Sequence, residues 1–260
     1  MTPRLLKIKR NIGKIPLAAP MYHTIKKIWL YSFFISDFIT FNKLSSGKKR
    51  FSVSLFDQFP CLLDNTGTTS FDPHYTYHPA WAARVIAHTK PKLHIDFSSF
   101  LQFSTLVSAF VPVHFYDYRP AEIKLDNLET KKGDLTSMPF IDNSVESLSC
   151  MHVVEHVGLG RYGDPLDADG DLKAIQELKR VLAPKGNLMF VVPIGKPKIQ
   201  FNAHRIYSYA QIMEYFSDLK LVEFSLILDG VPEAGLIKNA SKELSDAQAW
   251  GCGCFWFTKD

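Results

Sequence analysis

The stretch Asp171-Leu-Lys-Ala-Ile-Gln-Glu-Leu-Lys-Arg-Val-Leu-Ala-Pro-Lys-Gly-Asn-Leu-Met-Phe-Val-Val-Pro193 decides the fold. Its first half places Leu172, Ile175, Leu178, Val181 and Leu182 on one face at helical spacing. Asp169 or Asp171 can cap the helix start, and Lys179 and Arg180 suit the negative end of its dipole. Pro184-Lys-Gly186 stops the helix and turns the chain. Asn187–Pro193 is then continuously apolar, as a strand buried on both faces must be.

The same alternation extends both ways along the chain. Leu93–Phe97 and Val111–Asp117 are short apolar runs with an acid at their ends, Asp96 and Asp117. Further strands are expected near Ile123–Leu128, at Val145–Met151, at Leu221–Leu228 and at Cys252–Phe257, with a helix from about Ser208 to Phe216. Alternating strands and helices imply an α/β fold, a mostly parallel sheet with helices on both faces. In such sheets ligands bind beyond the carboxyl ends of the strands.

The composition fits this class. The chain has 260 residues, 46% hydrophobic and 22% charged, which excludes disorder and fibrous repeats for most of its length. Four unevenly spaced cysteines make no disulfide scaffold, so a reducing, cytoplasmic compartment is expected. Charge is asymmetric: residues 1–50 carry eleven Lys or Arg and one acid, a balance of +10, whereas residues 51–260 have a balance of −6. The apolar stretch Ile28–Phe41 contains Asp37 and is 14 residues long, shorter than the roughly 20 apolar residues of a spanning helix. It reads either as an amphipathic helix packed on the body or as one lying at the inner membrane surface. Ser45–Arg50 reads as a linker. The chain thus divides into a basic arm (1–50), a helical cap segment (51–90) and an α/β domain (91–260). The arm carries no motif for reading bases and the body is acidic, so no nucleic-acid partner is expected.

The strand ends supply the candidate site. Asp96 and Asp117 stand 21 residues apart. An acid at the second position can accept hydrogen bonds from both ribose hydroxyls of a nucleoside, or simply cap the next helix. Asp134 can accept from an exocyclic amine while Leu135 packs on a flat ring, or both can belong to a turn. His152 and His156 share a face if their segment is helical. In Gly158-Leu-Gly-Arg-Tyr-Gly-Asp-Pro165, the glycines permit close approach to a ligand, and Arg161, Tyr162 and Asp164 are candidate substrate contacts. The bland alternative pairs Arg161 with Asp164. Asn202, His204 and Arg205 follow the fifth strand; His204 can act as a general base, or His204 and Arg205 can pair with carboxylates. His74 and His78 are further candidate substrate contacts. The paired histidines at four-residue spacing raise zinc, but no Cys-x-x-Cys or His-x-Glu pattern accompanies them, so no metal is expected. Cys252 and Cys254 alternate along a strand and read as small core residues.

Taken in order, Asp96, Asp117, Gly133-Asp134, Ile141–His156 and Leu178–Leu188 resemble the class I S-adenosylmethionine-dependent methyltransferases. More narrowly, His74–Arg84, Glu155–Pro165, Pro193-Ile-Gly195, Phe201–Arg205 and Gly251–Phe257 resemble the uncharacterised family known as domain of unknown function 268, over residues 57–258. The broader resemblance implies a Rossmann-like seven-stranded sheet with its last strand antiparallel. It implies S-adenosylmethionine as cofactor, with Asp96, Ser98 and Ser99 in the first cofactor loop, Asp117 on the ribose, Asp134 and Leu135 at the adenine, and His152 beside the reactive sulfonium. One departure is the loop Asp96–Phe103, which has no glycine where such enzymes have several. The expected function is methyl transfer to a small-molecule or glycan acceptor, with His156 or His204 taking the proton. The alternative is a non-catalytic methyltransferase-like module that binds a glycan, lipid or protein partner.

Overall fold

The structure is a computed structural model describing residues 18–47 and 51–260. Residues 1–17 and 48–50, with most of the arm's basic charges and part of the linker, lie outside the described residues. The chain forms two compact units, Met1–Ser70 and Phe71–Asp260. The expected boundaries therefore move: what was expected as a 51–90 cap is divided, and its helix belongs to the α/β unit.

In the first unit, α1 (Ala18–Ser45) runs 28 residues, twice the apolar stretch that signals it. Ile25, Ile28, Trp29, Phe33, Phe41 and Leu44 on it are exposed. Among the described residues no helix is long and apolar enough to cross a membrane. A single 3-10 turn, Leu55–Asp57, is capped by the Ser54 side chain.

The second unit begins with α2 (Pro73–Thr89). The Asp72 side chain accepts from the Tyr75 backbone N–H at its start, and Lys90 closes it in a left-handed conformation. There follow β1 (His94–Phe97), α3 (Leu101–Val107), β2 (Val113–Asp117), β3 (Leu128–Lys132), β4 (Val145–Met151), α4 (Gly170–Val181), β5 (Leu182–Ile194), the hairpin β6 (Lys198–Gln200) and β7 (His204–Ile206), α5 (Tyr209–Tyr215), β8 (Lys220–Ile227), β9 (Leu236–Lys238), α6 (Lys242–Asp246) and β10 (Gly251–Thr258). The main sheet has the order β3-β2-β1-β4-β5-β10-β8-β9. Strands β3 to β5 pair in parallel, and β10 is antiparallel to both neighbours.

The sheet has eight strands rather than the expected seven, because β9 pairs antiparallel on the outer edge of β8. The third strand lies at Leu128–Lys132, later than expected, since it is an edge strand of mostly polar residues without an apolar signature. The helix start is not capped as expected. Asp169 makes no side-chain cap bond, and Asp171 is buried, accepting from the Tyr207 hydroxyl at 2.8 Å. Strand β5 starts directly at Leu182; Pro184–Gly186 bulge out of it, so Val145 faces Leu182 while Ser147 faces Asn187.

Alternation along β5 and β10 builds two core layers. Leu188, Phe190 and Val192 with Phe255 and Phe257 pack against Ala174, Ile175 and Leu178 of α4. Met189, Val191, Cys252 and Cys254 face Trp81, Val85 and Ile86 of α2 on the other side.

A chain of polar groups runs through the interior between β1 and β4. The Ser149 hydroxyl donates to Asp96 Oδ1 at 2.6 Å, so its oxygen accepts from His94 Nε2–H at 2.9 Å. His94 Nδ1 in turn accepts from the Ser147 hydroxyl at 2.8 Å, and the Ser104 hydroxyl of α3 donates to Asp96 Oδ2. Burial pushes the Asp96 carboxyl up to about 6 against the lowering effect of its serine partners, and pushes the His94 imidazole down to about 3.

The two shifts oppose each other in pH dependence. Unfolded, with ordinary values of 3.8 and 6.5, Asp96 is ionised and His94 protonated between those limits. Folded, Asp96 keeps the proton and His94 does not, so the proton counts match. His94 alone makes stability rise with pH in that window; Asp96 alone makes it fall. We therefore expect Asp96→Asn to unmask a rising slope between about pH 4 and 6 and His94→Gln a falling one, each approaching ~1.4 kcal/mol per pH unit. Urea unfolding across this window measures both, and slopes of one sign in the two variants would refute the assignment.

Candidate active site

Two adjoining cavities open at the carboxyl ends of β1, β2 and β4. The first, of about 340 Å³, is lined by Ser98, Asp117, Gly133–Thr136, His152 and Gly158 among others. The carboxylates of Asp117 and Asp134 sit in tight turns of their own making. Asp117 Oδ1 accepts from the Arg119 N–H at 2.6 Å, and Asp134 Oδ1 accepts from the Thr136 N–H and hydroxyl at 2.8 and 2.7 Å. Each keeps Oδ2 for another partner.

The glycine-free loop adapts by other means. Ser98 takes a left-handed φ of 55°, at a cost of roughly 1–2 kcal/mol for a non-glycine residue. Its N–H and hydroxyl both donate to the Tyr116 carbonyl, at 2.7 and 3.1 Å. Phe97 lies in the core, stacked on Tyr116 at 5.1 Å, and does not line the cavity. Gly133 makes this possible, because a Cβ there would stand 3.0 Å from both rings. Asp96 is not in the loop's binding surface. Its side chain is fully buried, with both oxygens engaged by serines, and it lines neither cavity. The expectation of a direct cofactor contact there is corrected: the residue holds the loop from beneath.

The second cavity, of about 620 Å³, shares Ser98, His152, His156 and Tyr162 with the first and adds Tyr75, Ser99, Phe100, Arg161, His204 and Trp250. Ser99 accepts the Met151 N–H at 3.0 Å, tying the loop to the end of β4. His152 has a left-handed φ of 58°, and its Nδ1 donates to Glu155 Oε1 at 2.9 Å. Burial pushes the Glu155 carboxyl up, but the hydrogen bond from His152 and the electrostatic attraction of the adjoining His152 and His156 rings outweigh it and hold it below the usual range. His156 Nδ1 donates to the Ala203 carbonyl at 2.6 Å, which leaves Nε2 as the acceptor. His204 stacks on Trp250 at 5.7 Å, its Nε2 is buried without a partner, and burial lowers its imidazole below the ordinary value.

The glycine-rich loop is ordered by Asp164. Its Oδ2 accepts from the Gly158 and Gly160 N–H groups at 2.8 and 3.3 Å, and its Oδ1 from that of Tyr162 at 3.1 Å. Burial raises the Asp164 carboxyl, yet these backbone donors hold it below its ordinary range. Arg161 bonds the Ala203 carbonyl at 3.0 Å rather than Asp164. The Tyr162 ring carries two guanidinium groups near its faces, Arg119 at 4.8 Å and Arg161 at 5.1 Å.

Four other expected substrate contacts, Arg205, Asn202, His74 and His78, line neither cavity. Arg205 is buried and bonds the Val157 carbonyl at 2.6 Å and the Ala168 carbonyl at 3.2 Å, beside Asp171 at 3.5 Å. It braces the loop and is spent. Asn202 is exposed and lines neither cavity. His74 and His78 are buried against His152, with ring centroids 5.8 and 5.1 Å away. Glu155, Tyr75 and Trp250 were not singled out from the sequence. The available signal was Glu155 itself, an acid three residues after one histidine and directly before another.

These features define a fold class. The N-methyltransferase NodS from Bradyrhizobium japonicum, solved with S-adenosyl-L-homocysteine, superposes with a TM-score of 0.51 at 12% identity, covering 72% of this chain and 88% of that one. Weaker superpositions include a 1,6-didemethyltoxoflavin-N1-methyltransferase from Burkholderia thailandensis (TM-score 0.49, 10% identity, 75% of this chain and 94% of that one). A TehB-like methyltransferase from Corynebacterium glutamicum gives 0.45 at 17% identity over 71% and 88%. The architecture is the class I methyltransferase fold. Within it, residues 136–225 match the family described as Caenorhabditis protein of unknown function, DUF268, a shorter span than the resembling blocks suggest. No curated protein matches the sequence.

Gly158 is the tightest point of the loop. At φ 80°, an added Cβ would lie 2.1 Å from the Asp167 carbonyl oxygen. Gly158→Ala is therefore expected to cost at least about 2 kcal/mol, read as a lowered urea midpoint. A midpoint unchanged from that of the parent would show that the loop is not held as described.

Proposed function

We propose that the chain transfers a methyl group from S-adenosylmethionine to a small-molecule acceptor. One observation carries this reading: Asp117 and Asp134 border a cavity that joins a second, histidine-lined cavity through His152 and His156. The first cavity suits an adenosyl group. Asp117 Oδ2 would accept from the ribose hydroxyls, Asp134 Oδ2 from the adenine amine, and Leu135 would lie against the ring. Ser98 and Ser99 would wall the space beside the amino-acid moiety, in the place usually given to glycines.

When bound, the cofactor supplies an electrophilic methyl group on a sulfonium. The chain's own part is orientation and proton removal. A cavity of about 620 Å³ walled by Tyr75, Phe100 and Trp250 is of the size that encloses a small organic molecule. His156 accepts the acceptor's proton at Nε2, since its Nδ1 already donates to a carbonyl. His204, kept neutral by its burial, is the second proton acceptor. Arg161 and Tyr162 stand where an anionic acceptor group would approach.

Isothermal titration of the full chain with S-adenosylmethionine tests the reading. We expect saturable binding, and Asp117→Ala is expected to weaken it roughly ten- to a hundredfold through loss of hydrogen bonds to a charged acceptor. A folded protein that gives no heat at millimolar ligand would refute it.

A further inference from the structure

The most unusual group of side chains lies behind the second cavity, where α2, the loop after β4 and the start of β10 meet. His74, His152 and Cys252 bring one ligand atom each to within 4.8 Å of one another. His74 and Cys252 are buried, and the His152 side chain is 6% exposed. His152 Nδ1 is committed to Glu155, so Nε2 carries the lone pair, and that atom is buried with no hydrogen-bond partner. His78 Nε2 and Glu155 Oε2, in the same cluster, are buried and unpartnered as well. Buried polar atoms are ordinarily paired, and each orphan costs roughly 1–3 kcal/mol. The orphaned His152 Nε2, beside the further donors of His74 and Cys252, points to a ligand that completes the group.

We infer that His74, His152 and Cys252 form a site for a borderline-soft divalent cation of the zinc class. Imidazole nitrogen and thiolate sulfur are the donors zinc prefers. Donor atoms around a tetrahedral zinc lie roughly 3.3–3.8 Å apart, given its usual bond lengths, so side-chain shifts of about 1 Å close the site. Glu155 supplies the carboxylate that fixes the tautomer of a ligating histidine and raises its basicity. Binding exchanges the Cys252 Sγ–H proton for the metal, and that proton leaves to solvent. Three protein donors leave a fourth position for water or an acceptor heteroatom. Because His152 also lines the second cavity, that position belongs to the acceptor side. This departs from the sequence expectation of no metal, which counted pairs along the chain. Cys252 enters from a strand 178 residues beyond His74. The site stands on its own geometry and does not depend on the methyl-transfer reading.

The test uses the full chain loaded with zinc or cobalt(II) and then dialysed against metal-free buffer. We expect about one zinc per chain by elemental mass spectrometry, and at least tenfold less in His152→Ala and in Cys252→Ser. Cobalt(II) should give a thiolate-to-metal charge-transfer absorption in the parent protein that survives Cys61→Ser and disappears in Cys252→Ser. Near-ultraviolet circular dichroism shows that each variant is folded, and the parent's own cobalt spectrum needs no variant. A parent chain holding no stoichiometric metal, or a charge-transfer absorption that persists without Cys252, overturns the inference. Titrating the zinc-free chain with S-adenosylmethionine separates the two readings, since cofactor binding can survive loss of the metal and metal binding can survive failure of the cofactor.

Discussion

The buried carboxyl of Asp96 is the constraint on which the site depends. It joins three elements: its own strand β1, Ser149 of β4 and Ser104 of α3. Directly after it the chain must make the left-handed turn at Ser98, and the next residue holds the last amide of β4. The end of β1 and the end of β4 are thus fixed relative to each other before any ligand arrives. A group in this position costs desolvation energy that a neutral side chain would not, and serine hydroxyls offset part of that cost. Pre-organisation of the rim is what the cost secures.

The two faces of the sheet do different work. One is closed by α4, α5 and a cluster of phenylalanines, with Phe190, Phe216, Phe255 and Phe257 fully buried. The other is covered by α2 and α3 and carries the smaller and more polarisable side chains Met189, Cys252 and Cys254. The histidines collect where this second face reaches the rim. Arg205 and Asp164 then brace the glycine-rich loop over the junction by bonding backbone groups. Charged residues that looked free to meet a substrate are instead the scaffold for those that are.

How much was legible in the sequence follows from what each signal depends on. Helix α4 and strand β5 were readable because burial imposes a period, and the period survives in Leu172, Ile175, Leu178 and the run to Pro193. The position of β3 was not, because an edge strand half exposed to water needs no apolar pattern. Asp117, Asp134 and Leu135 line the first cavity, and their position at strand ends of a parallel sheet is what made them visible in the sequence. Asp96 and Arg205 were misjudged for a shared reason: whether a polar group turns toward a cavity or toward backbone carbonyls is decided by neighbours distant in the chain. The turn at Ser98 shows the same limit, since its conformation rests on the Tyr116 carbonyl of the adjoining strand.

Strand β10 runs against its neighbours, and this puts its first residues, rather than its last, at the rim. The parallel strands and the loops that follow them furnish the first cavity from residues 98–170, whereas the histidine cluster is completed only by Cys252 and Trp250. Contacts that join distant parts of a chain close late and slowly during folding. The buried imidazoles are therefore shut off from water only once β10 has docked between β5 and β8.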